Sequence, residues 1–550
     1  MKTLLFSAAI ISASIFTSCN NETLISESAS ETNSALSLNV SELAYTPTAA
    51  GSRAVTNTDA VKTTKFEEGD ALGLFIISED STVTKQNVKF TYTSGIWTPD
   101  SVVNYYANSN YIAYFPYEKN LTVESSSDIE TGIKTYFTKN NFTSTDQSSK
   151  EAYQKADLMM AKLKNPEGPA ISFPLKHQFS MVEISIPVRK YITTKTYDKA
   201  GTRFEYCAPH KVTWDTLTYN NKGITPYYVG NGVYRYIAVS AKEAAVVING
   251  SVIYKANQSE FNFNNSTSQS VPLSSGSYVS YNLKNPDIPS DVKERDLEVG
   301  DYYYSDGSIY PYGNQNGNND LSSPLKEGCI GVVFQVEDHL YTQTQSDSII
   351  TKTAVVGVTN TEWIHGNVIA LKNLQNTKIA WGSHSTGIEG NIYSGLNDYG
   401  TNIDMLVDMR GYDLSHNDHF KKELSVKYAL EYSEIYPSTS SGWYMPSAGQ
   451  MMTFWINLGE YNLDMNKALM IGDGNSEGQK SGCYTKLLSH FTAIDSSLGE
   501  VQQWWTVTEN YDSGPKQNKA WTFKVNGNKT GFLDRKKDTN QAVVRPVLSF

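Results

Sequence analysis

Through the first half of the chain, apolar side chains gather in short strand-like runs. The runs cover residues 71–77, 88–92, 111–115, 181–186, 233–239 and 277–283, separated by Gly, Asn, Ser and Pro. A period of two marks a strand with one buried face, and short strands at regular spacing predict β-sandwiches. An isolated strand is expected earlier, in a polar Ser-, Thr- and Asn-rich stretch. Leu36, Leu38 and Val40 fall on one face there, followed less regularly by Leu43 and Tyr45. Residues 47–54 are small and flexible in character.

The pattern changes beyond Leu297, where seven of the nine tryptophans lie. A helix is predicted over 418–432 from Phe420, Leu424 and Tyr428 at steps of four. A second should open at Ser447, whose spacing to Gln450 matches a capping box. Met451, Phe454, Trp455 and Leu458 would form its apolar face. Strands are expected at 331–336, 354–358, 504–508, 520–525 and 543–550, giving an α+β domain. The Pro- and acid-rich run 284–296 reads as an exposed connector, with the linker proper at 286–296. The fold class is therefore mainly β, with sandwiches at 54–190 and 191–285 and an α+β domain at 297–550.

Composition narrows the function classes. Charged residues make up 19% of the 550 and aromatics 12%, which excludes a disordered chain. The net charge of −11, without a basic block, argues against nucleic acid as a partner. Four cysteines exclude a disulfide-scaffolded mini-protein. Cys329 and Cys483 share the last domain, and an oxidising surface would permit a disulfide between them. Two buried free thiols are the alternative.

The start of the chain points to export. Met1-Lys2 precedes a mostly apolar run to Phe16, then Thr17-Ser18-Cys19, which has the form of a signal peptide over residues 1–18. The small-small-Cys ending resembles the lipobox of bacterial lipoproteins. That resemblance implies diacylglycerol on the Cys19 sulfur and a membrane anchor for the precursor. An ordinary secretory signal with a chance cysteine is the alternative. No later stretch resembles a transmembrane helix.

Catalytic and metal chemistry find little support. Gly474 to Gly478 around Ser476 matches Gly-x-Ser-x-Gly, but a poor helix start follows it. His416 and His419 could share a helical face, yet a zinc site needs further ligands. The loop 472–478 lacks full calcium-loop spacing. Trp504 and Trp505 read as core. No enzyme activity, catalytic residue, metal or cofactor is expected, and the ligand-binding residues stay unassigned.

The N-terminal half resembles the fimbrillin (Mfa-like) family of type V pilus subunits. The resemblance is carried by Ser52-Arg53-Ala54, the run 66–75, Trp97-Thr98-Pro99 and Tyr114-Phe115-Pro116-Tyr117. Ala156-Asp157-Leu158-Met159-Met160-Ala161 and Leu175-Lys176-His177-Gln178-Phe179-Ser180 continue it. It implies two transthyretin-like sandwiches and a precursor routed to the outer membrane as a lipoprotein. It also implies cleavage by a trypsin-like protease between Arg53 and Ala54, which would make 19–53 a propeptide carrying the first strand. The emptied groove would accept a strand from another pilus subunit by donor-strand exchange.

The C-terminal half resembles C-type-lectin-like domains of bacterial surface proteins. Residues 300–307, 328–334 and 394–402 carry that resemblance, with 442–450, 505–509 and the closing Val544-Arg545-Pro546-Val547-Leu548. It implies pairing of the domain's first and last strands, and adhesion to a glycan or protein. The calcium-dependent sugar triplets of classical lectins are absent. A chain ending on a strand integral to its own last domain would accept a strand without donating one, as at the tip of a surface fimbrium. The alternative is a lipid-anchored outer-membrane lipoprotein that binds glycans for nutrient capture, outside any fibre.

Overall fold

A computed structural model describes residues 30–48, 62, 66–123, 128–140, 142–197, 201–254, 259–265, 270–284, 292–312, 326–336, 340–345, 348–353, 363–383, 408–461, 482–509, 519–525 and 530–550. The chain divides into two compact units. The first draws on 1–44, 59–141 and 157–178, and the second on 45–58, 142–156 and 179–550. The first ten strands are β1 Ser30–Ala35, β2 Ser37–Leu43, β3 Thr46–Pro47, β4 Ala71–Ser78, β5 Val83–Thr93, β6 Ile96–Pro99, β7 Asn104–Ala107, β8 Ser109–Phe115, β9 Met159–Lys164 and β10 Ala170–His177.

In the first unit, seven strands close into a barrel in the order β10-β2-β6-β5-β4-β8-β9, where the alternation predicts a sandwich. The difference arises at β2, which bridges β10 and β6 and so joins the two ends of the ladder. Leu36, Leu38, Leu72, Leu74, Phe90, Trp97, Phe115, Ile171, Phe173 and Leu175 fill its core. The strand pattern alone misses the helix Ile129–Lys139. Asp128 caps it by accepting from the Thr131 amide at 3.0 Å, and Ile129, Ile133 and Phe137 form its buried stripe.

The second unit begins with two facing sheets. One runs Tyr227–Gly230, Val233–Ala238, Ser180–Ser185, Ser277–Asn282 and β3. The other runs Lys222–Gly223, His210–Tyr219, Val246–Tyr254 and Glu260–Asn264. Val182, Ile184, Tyr236 and Val279 from the first meet Leu217, Ile248, Val252 and Phe263 from the second.

The connector expected to be exposed is fixed at its far end. Lys293–Glu294 pairs in parallel with Tyr191 and Ile192. The Arg295 guanidinium donates twice to Asp301, both at 2.8 Å, and to the Tyr206 hydroxyl at 2.9 Å. Beside it, Phe204 stacks on His365 at 4.0 Å, and Tyr303 stacks on Phe550 at 4.6 Å. Apolar packing and the Arg295–Tyr206 hydrogen bond thus join the strands Lys190–Thr196 and Arg203–Cys207 to the C-terminal region, where a bidentate ion pair with Asp301 holds Arg295.

The C-terminal region is built on a five-stranded sheet ordered Ile309–Tyr310, Tyr302–Tyr304, Cys329–Val336, Gly366–Ala370 and Val547–Ser549. Its first and last strands do not pair, which corrects the expectation above. Tyr302–Tyr304 pairs with Cys329–Val336, whereas Val547–Ser549 pairs with Gly366–Ala370. The helix Ala448–Leu458 forms as its pattern predicts. The capping box is complete, and Met451, Phe454, Trp455 and Leu458 are all fully buried. Replacing Ser447 with Ala is expected to cost about 1 kcal/mol, read as a lower melting temperature.

The segment over 418–432 differs from its expectation. A 3-10 turn at Phe420–Lys422 ends on Glu423, whose extended backbone resets the phase before Leu424–Leu430 becomes helical. Val426 and Ala429 are therefore buried, while Leu424 and Tyr428 face solvent. The helices Gly411–His416 and Cys483–Thr492 add to the two expected. Of the expected strands, 354–358 lies outside the described residues.

Arg545 explains the closing Arg-Pro motif. It is fully buried, donating through Nε to Asn373 Oδ1 at 3.0 Å and through Nη2 to the Leu371 and Ser497 carbonyls, each at 3.1 Å. Its guanidinium lies over Phe491 and Trp504. The side chain ties the last strand's approach to three other segments.

Candidate functional site

The site is the place of β2 in the barrel. Ser37, Asn39, Ser41 and Leu43 are exposed, while Leu36 and Leu38 are buried and Val40 is half-buried. The alternation continues one step further, so Glu42 also points inward. β10 obeys the same rule, burying Ile171, Phe173, Leu175 and His177. The two strands run parallel in unbroken register from Ser37 beside Ala170 to Leu43 beside Lys176. Leu38 thus lies beside Ile171, Val40 beside Phe173 and Glu42 beside Leu175.

The other flank of β2 is held much less. Among the described residues it meets β6 only at Leu38 and Trp97. Parallel pairing is slightly weaker per residue than antiparallel. Further along, the Leu36 amide donates to the Val103 carbonyl at 2.7 Å and the Ser37 amide to the Pro169 carbonyl at 2.9 Å. β1 pairs with β7 in the first unit, and β3 pairs with Ser277 and Tyr278 at a sheet edge in the second. The leading segment therefore supplies strands to both units.

At the polar end of the slot, His177 bridges two carboxylates. Nδ1 donates to Asp157 Oδ1 at 2.7 Å and Nε2 donates to Glu42 Oε1 at 3.0 Å. All three side chains are at most 4% exposed. Burial alone would lower the imidazole pKa. The attraction and hydrogen bond of Asp157, followed by those of Glu42, outweigh it and raise the value to about 9. His177 is consequently a buried cation at neutral pH, and one of its two counter-charges belongs to the leading strand.

The other expected site residues lie elsewhere. Cys19, Arg53 and Ala54 are outside the described residues, as is the loop around Ser476. Cys329 and Cys483 are both buried in the C-terminal core. Their sulfurs donate to the Gly331 and Glu460 carbonyls respectively. His416 stacks on Tyr412 and contacts its carbonyl. Trp504 and Trp505 are fully buried. The Glu42–His177–Asp157 cluster had escaped the sequence reading. Its signal is the two-residue period of Leu36, Leu38 and Val40 carried on to a charged residue, repeated from Ile171 to His177.

Residues 52–299 match the Fimbrillin-like (Mfa-like) family. The chain is 24% identical over 435 residues to the "Putative fimbrium tip subunit Fim1C" of Bacteroides ovatus, covering 71% of this chain and 75% of that protein. It is also similar to a crystal structure of a fimbrial protein from Bacteroides ovatus. That match has 21% identity and a TM-score of 0.44, and covers 94% of this chain and 99% of the other. Residues 52–299 thus match the Mfa-like fimbrillin family, in a chain similar to a protein named for the tip of a fimbrium.

Proposed function

We propose that this protein is a fimbrium subunit at the cell surface whose leading strand is a placeholder, later replaced by a strand from another subunit. The observation that carries the reading is β2 itself. It fills the barrel core through Leu36 and Leu38 and pairs along its length with β10, yet it meets β6 at one position. A strand seated in this way completes the unit while keeping one flank nearly open. β-Augmentation supplies the replacement chemistry, with main-chain hydrogen bonds for affinity and alternate side-chain pockets for selectivity.

In this reading Cys19 carries the lipid of an outer-membrane precursor, and cleavage between Arg53 and Ala54 frees β1, β2 and β3 together. The C-terminal region serves as a lectin-like adhesive head at the tip, acting by binding and without enzymatic chemistry. Its strand Val547–Ser549 is committed to its own sheet, which favours display over donation. The tip position also draws support from the name of the Bacteroides ovatus relative. Exposed apolar side chains at Leu424, Tyr428, Ile435 and Tyr436 offer contact area on the head.

N-terminal sequencing of the protein recovered from cell-surface fibres tests the proposal. A chain beginning at Ala54 supports it, and a chain blocked by lipid at Cys19 and absent from fibres overturns it. A second prediction concerns the hold on β2. Leu38→Ala removes a buried side chain at the position where β2 pairs with β6. Protection of β2 in hydrogen exchange should fall by about tenfold or more.

A further inference from the structure

We propose that His177 and Asp157 read an acidic side chain on whichever strand fills the β2 slot. An incoming subunit strand would then carry Asp or Glu two residues beyond its last inward aliphatic side chain. The inference deepens the strand-exchange reading and rests on it.

The argument starts from what an incoming strand meets. Ile171, Phe173 and Leu175 give the slot an apolar floor, which selects aliphatic side chains at every second position without much discrimination among them. Only at the far end does the floor become charged. Asp157 occupies Nδ1 of His177 at 2.7 Å, so Nε2 is the nitrogen directed at the slot, where Glu42 now accepts from it at 3.0 Å. When β2 departs, that acceptor departs with it.

A replacement strand with Leu at this position would take away the acceptor that Glu42 gives Nε2, and one with Lys would set a second cation against the imidazole. Gln can accept the hydrogen bond but brings no charge. Asp or Glu restores both, because a charge-assisted hydrogen bond is about twice as strong as a neutral one. The same geometry fixes register. A strand displaced by one residue turns its acid to the exposed face, and one displaced by two puts it over Phe173 or beyond the end of the strand. Among the described residues, Glu42 from β2 and Asp157 from the segment entering β9 set their charges against His177.

The test uses the full chain carrying a site-specific protease sequence at 53–54. After cutting, the leading segment is held only non-covalently. Labelled synthetic copies of residues 30–48 with Glu42, Glu42→Gln or Glu42→Leu then compete for the slot, and bound label is read by native mass spectrometry. The Glu42 peptide should bind about tenfold or more tightly than the Gln peptide, with the Leu peptide weaker still. In a chain carrying both Asp157→Asn and His177→Gln, that preference should disappear. Should this receptor fail to fold, the unaltered chain at pH 10 provides the same control. His177 is neutral there, and the preference for Glu over Gln should shrink.

Equal entry of the three peptides overturns the acid-reading role and leaves strand exchange standing. Failure of every peptide to enter overturns both. A Glu preference that persists in the double variant, or unchanged at pH 10, also overturns the proposal, since something other than the His177 charge would then select the acid.

Discussion

Replacing His177 with Ala is expected to destabilise the first unit by about 3–5 kcal/mol, because it removes the cation that bridges two buried carboxylates. Glu42 and Asp157 are each 4% exposed, so bulk solvent screens their charges little. Urea unfolding followed by hydrogen exchange across β2 and β10 reads the loss where it arises, which matters in a chain of two units. The same cluster sets a pH dependence. The His177 pKa is raised to about 9 in the folded chain, above its ordinary value. Folding therefore gains from the protonated form. The gain, roughly 3 kcal/mol, is complete below about pH 6.5 and is lost as the pH rises through 9. Stability of the first unit should fall between those limits, and His177→Gln should flatten the fall.

In the C-terminal region the largest single effect is expected at Lys537. Its side chain has no exposed surface, forms an ion pair with the nearly buried Glu509 and lies over the Trp381 ring at 4.9 Å. Lys537→Met keeps most of the volume but removes the cation paired with a nearly buried carboxylate, at a cost of about 3–5 kcal/mol. Pairing it with Glu509→Gln should recover a large part of that loss, because the uncompensated charge is then gone. Thermal melts of the single and double variants measure the difference. If Lys537→Met were as damaging with Glu509→Gln as without it, packing around Trp381 would be the cause instead of charge.

The strands at 71–77, 111–115 and 181–186 are legible as short, strongly apolar runs, and they are buried on both faces. The period of two marks the face shared by Leu36, Leu38 and Val40. The helix from Ser447 is legible for a similar reason, since its cap and apolar stripe agree. The helix Ile129–Lys139 is harder to read because its stripe is three residues set among Thr and Lys, two of them β-branched isoleucines. The stripe through Leu424 and Tyr428 is broken by the extended Glu423, a local event that periodicity does not reveal.

Closure of the barrel and the Glu42–His177–Asp157 cluster are long-range facts. Glu42 and His177 are 135 residues apart, and only their strands' parallel register brings them together. Residues 175–180 contribute to the family resemblance, but a motif does not say which strand its histidine will face.

The central claim is that the leading strand can be replaced. Native mass spectrometry of the full chain, cut at 53–54 and incubated with an excess of a labelled copy of residues 30–48, tests it most directly. The account predicts that the chain's own leading fragment is released and the labelled strand takes its place, one copy per chain, with the first unit remaining folded. A cut chain that keeps its own fragment indefinitely and takes up no label would contradict it.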